Sequence, residues 1–271
     1  MSWDGSRLDD MRQSWGDFLR GAGARAHGVQ VYAEPRELAE SVAAYLAAGF
    51  ERDEPGVLVA TPGHLSLFAQ ELGSRGWALP GAERAGLLVV ADAEQTLTAI
   101  VESDDVAQRF DEVVGGLLDR AQNGGAERPV RVFGEMVDLL ARRDAATAAD
   151  ELERLWNALA EKRRFSLLCG YRLDVFDQQS QLDTLPPICR EHSHVLPARN
   201  YPRFARAVDE ALREVLGPNK AATVYVLVSR VAADNQVPLA QLILMWVSAN
   251  LPLQSEQILA AARTHYVRPA A

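Results

Sequence analysis

Val29-Gln30-Val31-Tyr32-Ala33-Glu34-Pro35 is the segment most informative about the fold of this chain. Its first four residues form a strand-like run, and an amphipathic helix is predicted to begin near Pro35. This strand-turn-helix order is the setting of a phosphate-binding loop, but the turn has no glycine, no lysine and no helix-opening Ser or Thr. The acidic side chain of Glu34 would repel phosphate. The stretch therefore predicts an α/β fold and argues against nucleotide hydrolysis at a P-loop.

Outward from this stretch, strand-like and helix-like patterns alternate as far as Tyr171. Each strand-like run is nearly continuous in apolar residues, as expected for strands that are covered on both faces. Because such alternation is typical of βαβ units, we predict a mainly parallel sheet with helices on both faces. The predicted strands are Val29–Tyr32, Val57–Thr61, Leu87–Ala91, Val130–Phe133 and Phe165–Tyr171.

The pattern changes after Tyr171. A polar stretch and two prolines are followed by a short predicted strand at 192–197, and from Tyr201 onward the chain predicts only helices, at 202–216, 221–234, 238–249 and 252–265. We therefore predict three parts. They are an N-terminal helical arm over 1–24, which is expected to dock on its own domain, an α/β domain over 25–197, and a small all-α C-terminal module over 198–271.

Composition and charge exclude several classes of protein. A net charge of −9 does not favour binding to nucleic acid or to an anionic membrane, and the last predicted helix carries one arginine, too few for a DNA-recognition helix. The first residues lack the basic start and apolar stretch of a signal peptide, and the longest apolar stretch is too short to span a bilayer. We therefore expect a cytoplasmic protein that contacts neither a membrane nor nucleic acid directly.

The strand ends carry the candidate ligand-binding residues. In an open parallel sheet, ligands usually bind outside the carboxyl ends of the strands, and three of the predicted ends carry acids. Such acids suit a cation or a ligand with hydrogen-bond donors. For Asp92 and Glu94, capping of the following helix is an equal alternative, whereas Glu135 follows an apolar strand behind a glycine. The predicted ligand-binding residues are Tyr32, Glu34, Asp92, Glu135, Met136 and Tyr171.

The sequence gives little support for catalysis or for a metal centre. It has no Gly-x-Ser-x-Gly elbow and no HExxH pair, and Cys169 is predicted to be a small buried hydrophobe. A helix after Tyr171 would return the chain to the amino edge of the sheet, so His192 could approach His27 in a second site. Two hydrogen-bonded structural histidines are the favoured alternative. We expect no catalytic residue, no metal and no cofactor.

Several short motifs, taken together and in order, resemble one known family. Over about residues 25–197 the chain is similar to the MEDS family, a sensory domain named for methanogen and methylotroph regulators and for a dichloromethane-responsive one. The matching pieces are His27 with Val31-Tyr32, the helix end at 45–50, Val57–Thr61, Asp92-Ala93-Glu94, Phe133-Gly134-Glu135-Met136, Leu152–Asn157, Leu168-Cys169-Gly170-Tyr171 and His192.

The resemblance implies a fold similar to RecA-type and circadian-clock ATPases, with a degenerate phosphate loop and no Walker A motif. It also implies a bacterial protein of signal transduction or transcription regulation that senses a small molecule, with hydrocarbon derivatives as candidates. The C-terminal helices match no output domain of the family. We therefore expect a non-enzymatic sensor whose C-terminal helices bind a protein partner or self-associate. Two alternatives stay open: a scaffold with a vestigial ligand site, and a metal-assisted enzyme that uses the strand-end carboxylates.

Overall fold

The computed structural model describes residues 15–123, 128–143, 145–231 and 237–268. These residues form two compact units, Trp15–Arg172 and 173–268. Residues 1–14 of the predicted arm and the end of the helix predicted at 221–234 lie outside the described residues. The predicted domain limits, 25–197 and 198–271, do not coincide with the two units and stay a prediction. None of the described helices has both the length and the apolar character needed to cross a membrane.

A parallel sheet forms the centre of the unit Trp15–Arg172. Its strands are β1 (His27–Tyr32), β2 (Gly56–Ala60), β3 (Leu88–Asp92), β4 (Val130–Gly134) and β5 (Phe165–Arg172). They pair in the order β3-β2-β4-β5-β1, and each of these pairs is parallel. Strands β1, β2 and β4 are buried along their whole length, as the apolar runs predict. The five strands predicted from the sequence are confirmed to within two residues at each end.

Helices connect the consecutive strands of this unit. They are α1 (Pro35–Phe50), α2 (Pro62–Ser74), α3 (Leu79–Arg84), α4 (Ala93–Val101), α5 (Val106–Gln122), α6 (Met136–Ala141) and α7 (Ala146–Lys162). Proline stands in the first turn of α1, α2 and α3, where a backbone N–H would have no helical partner. The side chains of Asp92 and Asp105 cap α4 and α5 by accepting a backbone N–H of the first turn.

Helices α1 and α2 pack on one side of the sheet, which we call the first face. Leu38 of α1 lies so close to β5 that a Cβ on Gly170 would be 2.9 Å from its methyl carbons. Phe68 of α2 packs edge-on against Phe133 of β4, with ring centroids 5.0 Å apart. Gly170 on the strand, Leu38 on α1 and Phe68 on α2 therefore set the distance between the sheet and these two helices.

A helical segment at residues 15–21 packs on the same face. Phe18 is 2% exposed and stacks on Tyr45 of α1, with ring centroids 5.6 Å apart. A Cβ on Gly28 of β1 would lie 2.4 Å from the Phe18 ring, so the glycine provides the space that the ring occupies. The described part of the predicted arm thus packs on its own domain.

Helices α5 and α7 cover the opposite side of the sheet, the second face. Trp156 of α7 is 1% exposed and meets Phe110 of α5 edge-on at 5.1 Å between ring centroids. A Cβ on Gly134 of β4 would lie 3.3 Å from the Trp156 ring, which places α7 directly over the end of that strand. Trp156 is therefore part of the core, as the pattern of α7 predicts.

Strands β2 and β4 are neighbours whose following helices cover opposite faces. Helix α2 follows β2 onto the first face, whereas α6 and α7 follow β4, and α7 covers the second face. Such a switch point opens a crevice at the carboxyl ends of the two strands. The topology therefore brings Thr61, which follows β2, next to Glu135, which follows β4.

The unit 173–268 is mainly helical. It contains a π-helical turn (Ser180–Thr184), α8 (Leu185–Glu191), a short strand β6 (His194–Leu196), α9 (Tyr201–Leu216), α10 (Pro218–Val231), α11 (Leu239–Asn250) and α12 (Pro252–Val267). Its core includes Phe204, whose ring centroid lies 5.6 Å from that of Phe176 and 6.2 Å from that of Tyr266. The predicted short strand, the predicted C-terminal helices and the predicted fold class, α/β with a helical C-terminal region, are confirmed.

Candidate functional site

Glu135 links the ends of β2 and β4 at the switch point. It directly precedes α6 and is fully buried. Its Oε1 accepts a hydrogen bond from the backbone N–H of Thr61, and its Oε2 is paired with Nδ1 of His64. A carboxylate from one strand end is therefore held by the backbone and by a side chain that follow the neighbouring strand.

His64 joins this carboxylate to an aromatic wall. It lies in the first turn of α2, and its side chain is 12% exposed. Its ring meets Tyr32 edge-on at 5.8 Å between centroids and stacks on Phe68 at 5.6 Å. The site therefore combines hydrogen-bonding groups with apolar ring surface.

Asp138 is a second buried acid, three residues beyond Glu135 on α6. Its Oδ1 accepts a hydrogen bond of 2.9 Å from the backbone N–H of Arg172, and its Oδ2 lies 3.1 Å from Nε of Arg142. Burial raises the pKa of the Asp138 carboxyl above its ordinary value, because a buried site disfavours the charged form. The charge of Glu135 raises this pKa further, whereas Arg172 and Arg142 oppose the shift.

Tyr32 completes this group at the end of β1 and is 2% exposed. Burial raises the pKa of its phenol, and the negative charges of Asp138 and Glu135 raise it further. The hydroxyl therefore stays neutral at physiological pH. We call Tyr32, His64, Glu135 and Asp138 the carboxyl-edge cluster.

The carboxyl-edge cluster has the chemistry to hold a hydrogen-bond donor beside an apolar body. Its two buried acids offer acceptors, and Tyr32, His64 and Phe68 offer ring surface. A phosphate site instead needs backbone N–H groups that point at the ligand, but the N–H of Thr61 donates to Glu135. The cluster is therefore suited to neutral or cationic small molecules and poorly suited to phosphates.

The structure brings together only some of the sequence-predicted ligand residues. Tyr32 and Glu135 belong to one cluster, and Met136 beside them is fully buried in the first turn of α6. Glu34 is exposed in the turn before α1, and its side chain makes no capping hydrogen bond. A direct contact of any of these residues with a ligand stays a prediction.

Asp92 ends the edge strand β3, and its side chain caps a helix. Its Oδ1 accepts a hydrogen bond of 2.9 Å from the N–H of Gln95, which confirms the capping alternative, and Glu94 is paired with Arg143. Asp92 ends β3, at the opposite side of the order β3-β2-β4-β5-β1 from Tyr32. Four strand spacings of about 4.8 Å separate these two strands by roughly 19 Å. Among the described residues, the strand-end acids therefore form no common metal-binding group.

Tyr171 lies on the other face of the sheet from Tyr32. In the pairing of β1 with β5, Val31 is opposite Tyr171 and Tyr32 is opposite Arg172. Because successive side chains of a strand alternate between faces, the two tyrosines point in opposite directions. The Tyr171 hydroxyl donates a 2.8 Å hydrogen bond to Oε1 of Glu153 on α7. The single crevice expected from the sequence therefore divides into two separate polar clusters.

The second cluster is buried between β1, β5 and α7. His27 Nε2 lies 3.3 Å from Cys169 Sγ and 3.5 Å from Glu153 Oε2, while His27 Nδ1 lies 2.9 Å from Asn157 Oδ1. Cys169 is buried as predicted, but its surroundings are polar. Burial and the neighbouring Glu153 charge raise the pKa of the Cys169 thiol well above its usual range. We call His27, Glu153, Asn157, Cys169 and Tyr171 the His27 cluster.

His192, the other residue of the predicted second site, belongs to the unit 173–268. It is buried, and its Nδ1 lies 2.7 Å from the backbone carbonyl oxygen of Ile188 within that unit. The predicted approach of His192 to His27 stays a prediction.

Sequence reasoning missed His64, Asp138 and Glu153 as members of these clusters. The sequence positions of His64 and Asp138 could have indicated their membership. His64 follows β2 within one helical turn, and Asp138 lies one turn after Glu135, but the strand-end rule identifies only residues that directly follow a strand. Glu153 stands one turn before Asn157 on α7, and the apolar pattern of that helix concealed both.

The sequence model of one protein family matches residues 26–186, more than half of the chain. Its description is MEthanogen/methylotroph, DcmR Sensory domain, abbreviated MEDS. This match agrees with the resemblance found in the motifs, and it covers β1 to β5 and both clusters of the unit Trp15–Arg172. No curated protein matches the chain.

Proposed function

Because the chain belongs to the MEDS family of sensory domains, we propose that it is a non-enzymatic sensor that binds a small ligand at the carboxyl-edge cluster. One observation carries this proposal: the buried carboxylate of Glu135 stands at the switch point, between Thr61 and His64. In folds of this type the switch point is the usual place for a ligand.

The proposed ligand is a small organic molecule with a hydrogen-bond donor and an apolar body. The donor would bind a carboxylate of Glu135 or Asp138, and the apolar body would contact the rings of Tyr32 and His64. Hydrocarbon derivatives such as alcohols or amines have this chemistry, and the family resemblance implies ligands of that class. Two neighbouring acids disfavour phosphates and carboxylic acids by like-charge repulsion.

The proposed output is a change in the association of the C-terminal helices with a protein partner or with a second copy. Exposed apolar side chains on these helices support it. Val226 and Leu227 on α10 are 51% and 42% exposed, and Leu253 on α12 is 86% exposed. A ligand can drive such a change only if it binds one state of the protein more tightly than the other.

One observation favours a scaffold with a vestigial site instead. Both oxygens of Glu135 already have partners within the chain, so a ligand must displace His64 or bind beside it. The two functions differ in whether any small molecule stabilises the folded state.

A thermal-shift screen of the full chain against short alcohols, amines, halogenated hydrocarbons and nucleotides tests the proposal. A ligand at 100 times its Kd adds about 2.7 kcal/mol to the free energy of unfolding, which a melting curve resolves. We expect stabilisation by a neutral or cationic organic compound and none by ATP. Light scattering of the same samples would show whether the ligand changes the oligomeric state.

The matched variants are Glu135→Gln and Glu83→Gln. Glu83 is an exposed acid on α3, so its variant should keep the full ligand shift, whereas Glu135→Gln should lose most of it. A shift that survives in Glu135→Gln would place the ligand elsewhere. No stabilisation by any compound would support the scaffold.

A further inference from the structure

We propose that the His27 cluster is a binding site for a divalent transition metal, and that Zn²⁺ is the ion that it fits best. The donor set is an imidazole nitrogen, a thiol sulfur and a carboxylate oxygen, which are the three ligand types that zinc uses in proteins. The ligand atoms of His27, Glu153 and Cys169 all lie within 4.8 Å of one another. This site goes beyond the proposed ligand site, because it lies on the second face of the sheet.

The spacing of these donors fits a tetrahedral ion. Bonds of about 2.3 Å to sulfur and about 2.0–2.1 Å to nitrogen and oxygen place ligand atoms about 3.4–3.6 Å apart at tetrahedral angles. Nε2 of His27 lies 3.3 Å from Cys169 Sγ and 3.5 Å from Glu153 Oε2. Small movements of these side chains would therefore place a metal between the three donors.

Two further side chains hold the donors in the orientation that a metal requires. Asn157 Oδ1 accepts a 2.9 Å hydrogen bond from Nδ1 of His27, which leaves the Nε2 lone pair directed at the sulfur and the carboxylate. The Tyr171 hydroxyl donates to Glu153 Oε1, which leaves Oε2 facing His27. Metal-binding histidines and carboxylates in proteins are generally oriented in this way by partners outside the metal's own ligands.

The charges of the proposed ligands also balance the charge of the ion. His27, Glu153 and Cys169 are 4%, 2% and 0% exposed, so the negative charge of the Glu153 carboxylate is costly to bury. A thiolate and a carboxylate together neutralise one Zn²⁺. On binding, the sulfur–hydrogen bond of Cys169 breaks, a zinc–sulfur bond forms and the proton leaves to solvent. Three protein donors leave a position on a tetrahedral ion for water or a further donor.

The test uses the full chain, stripped with a chelator and then dialysed against Zn²⁺ or Co²⁺. Elemental analysis should find one zinc ion per chain that survives removal of excess metal. The Co²⁺ form should show intense visible bands of a tetrahedral ion and a near-ultraviolet thiolate-to-cobalt band. These readouts need no variant, so they remain informative even if substitutions impair folding.

The variants assign the metal to its ligands. Cys169→Ser should abolish the thiolate-to-cobalt band and Glu153→Gln should weaken zinc binding, whereas Asn157→Ala should weaken it by about 10–100-fold. Cys189→Ser is the matched control, because Cys189 is the other buried cysteine and lies in the unit 173–268. It should retain the band and the affinity.

A wild-type chain that holds no stoichiometric metal after dialysis would overturn this proposal, as would a thiolate-to-cobalt band that survives in Cys169→Ser. The ligand screen on metal-free protein reports separately on the carboxyl-edge cluster. Failure of the metal site would therefore leave the proposed sensory function standing, and failure of the ligand screen would leave the metal site standing.

Discussion

A buried charged side chain lies at each end of β4, and the two differ in the number of hydrogen-bond partners that the chain gives them. At the amino end, Arg131 is 1% exposed, and its guanidinium donates hydrogen bonds of 2.6–2.9 Å to one carboxylate and to three backbone carbonyls. At the carboxyl end, Glu135 is also buried, but it has one backbone donor and one histidine, and it shares its surroundings with the acid Asp138. The four acceptors of the Arg131 hydrogen bonds are the carboxylate of Glu54 and the backbone carbonyls of Leu19, Arg20 and Tyr45.

The two buried charges differ in the number and kind of their partners. Arg131 also lies over the Tyr45 ring, with Cζ 4.8 Å from the ring centroid, so the rest of the chain supplies its full set of partners. The carboxyl-edge cluster instead gathers two acids in a place that raises the pKa of Asp138. Groups with perturbed pKa values at a crevice are typical of functional sites, whereas a fully paired buried charge mainly holds elements together.

The largest effect is expected from Arg131→Ala. The change removes one donor from Glu54, which keeps its bonds from Arg52, and one donor from each of three backbone carbonyls, two of them in the helical segment 15–21. We therefore expect the free energy of unfolding to fall by about 3–5 kcal/mol. Urea unfolding followed by circular dichroism measures this loss. The control is Arg154→Ala, whose exposed pair with Asp150 contributes at most about 0.5 kcal/mol. Equal losses in the two variants would refute a structural role for Arg131.

A smaller effect is expected from Gly49→Ala on α1. A Cβ at this position would lie 2.4 Å from Cδ of Arg131, so the arginine must shift away from its acceptors. We expect a loss of about 1–3 kcal/mol, as for other overpacked sites. Gly116→Ala on α5 is the control, since a Cβ there meets nothing within 4 Å and alanine favours a helix by up to about 1 kcal/mol. A stabilising Gly49→Ala would show that the arginine is not held as described.

The smallest effect is expected from Asp138→Asn at the carboxyl end. The folded-state pKa of Asp138 is raised above its ordinary value of 3.8, so the wild type loses stability as pH rises from about 3.8 toward the folded-state pKa. Asparagine still offers an oxygen to the N–H of Arg172 and carries no charge. We therefore expect the variant to gain stability relative to the wild type over this window, by less than about 1.5 kcal/mol. Unfolding curves at several pH values measure this gain, and a variant that is less stable than the wild type throughout the window would show that Arg142 favours the charged form of Asp138 in the folded state.

The sequence predicted the fold well because periodicity is a local property. Apolar runs and helical stripes identified β1 to β5 and the helices between them, and proline marked helix starts in both units. The same patterns concealed Arg131, which stands inside an apolar strand run. Its role depends on carbonyls of a helical segment more than 110 residues earlier in the chain, and no local pattern records such contacts.

Local sequence patterns were sufficient for the element order, the parallel sheet, the absence of P-loop residues from the first turn and the family of the chain, because each of these depends on neighbouring residues along the chain. The contacts between polar side chains depend on the three-dimensional arrangement of the strands. Strand order and register placed Tyr32 with Glu135, moved Tyr171 to the opposite face beside Glu153, and left Asp92 at the far edge of the sheet. Side chains alternate between faces, and strands that are distant along the chain become neighbours, so one set of predicted residues became two clusters.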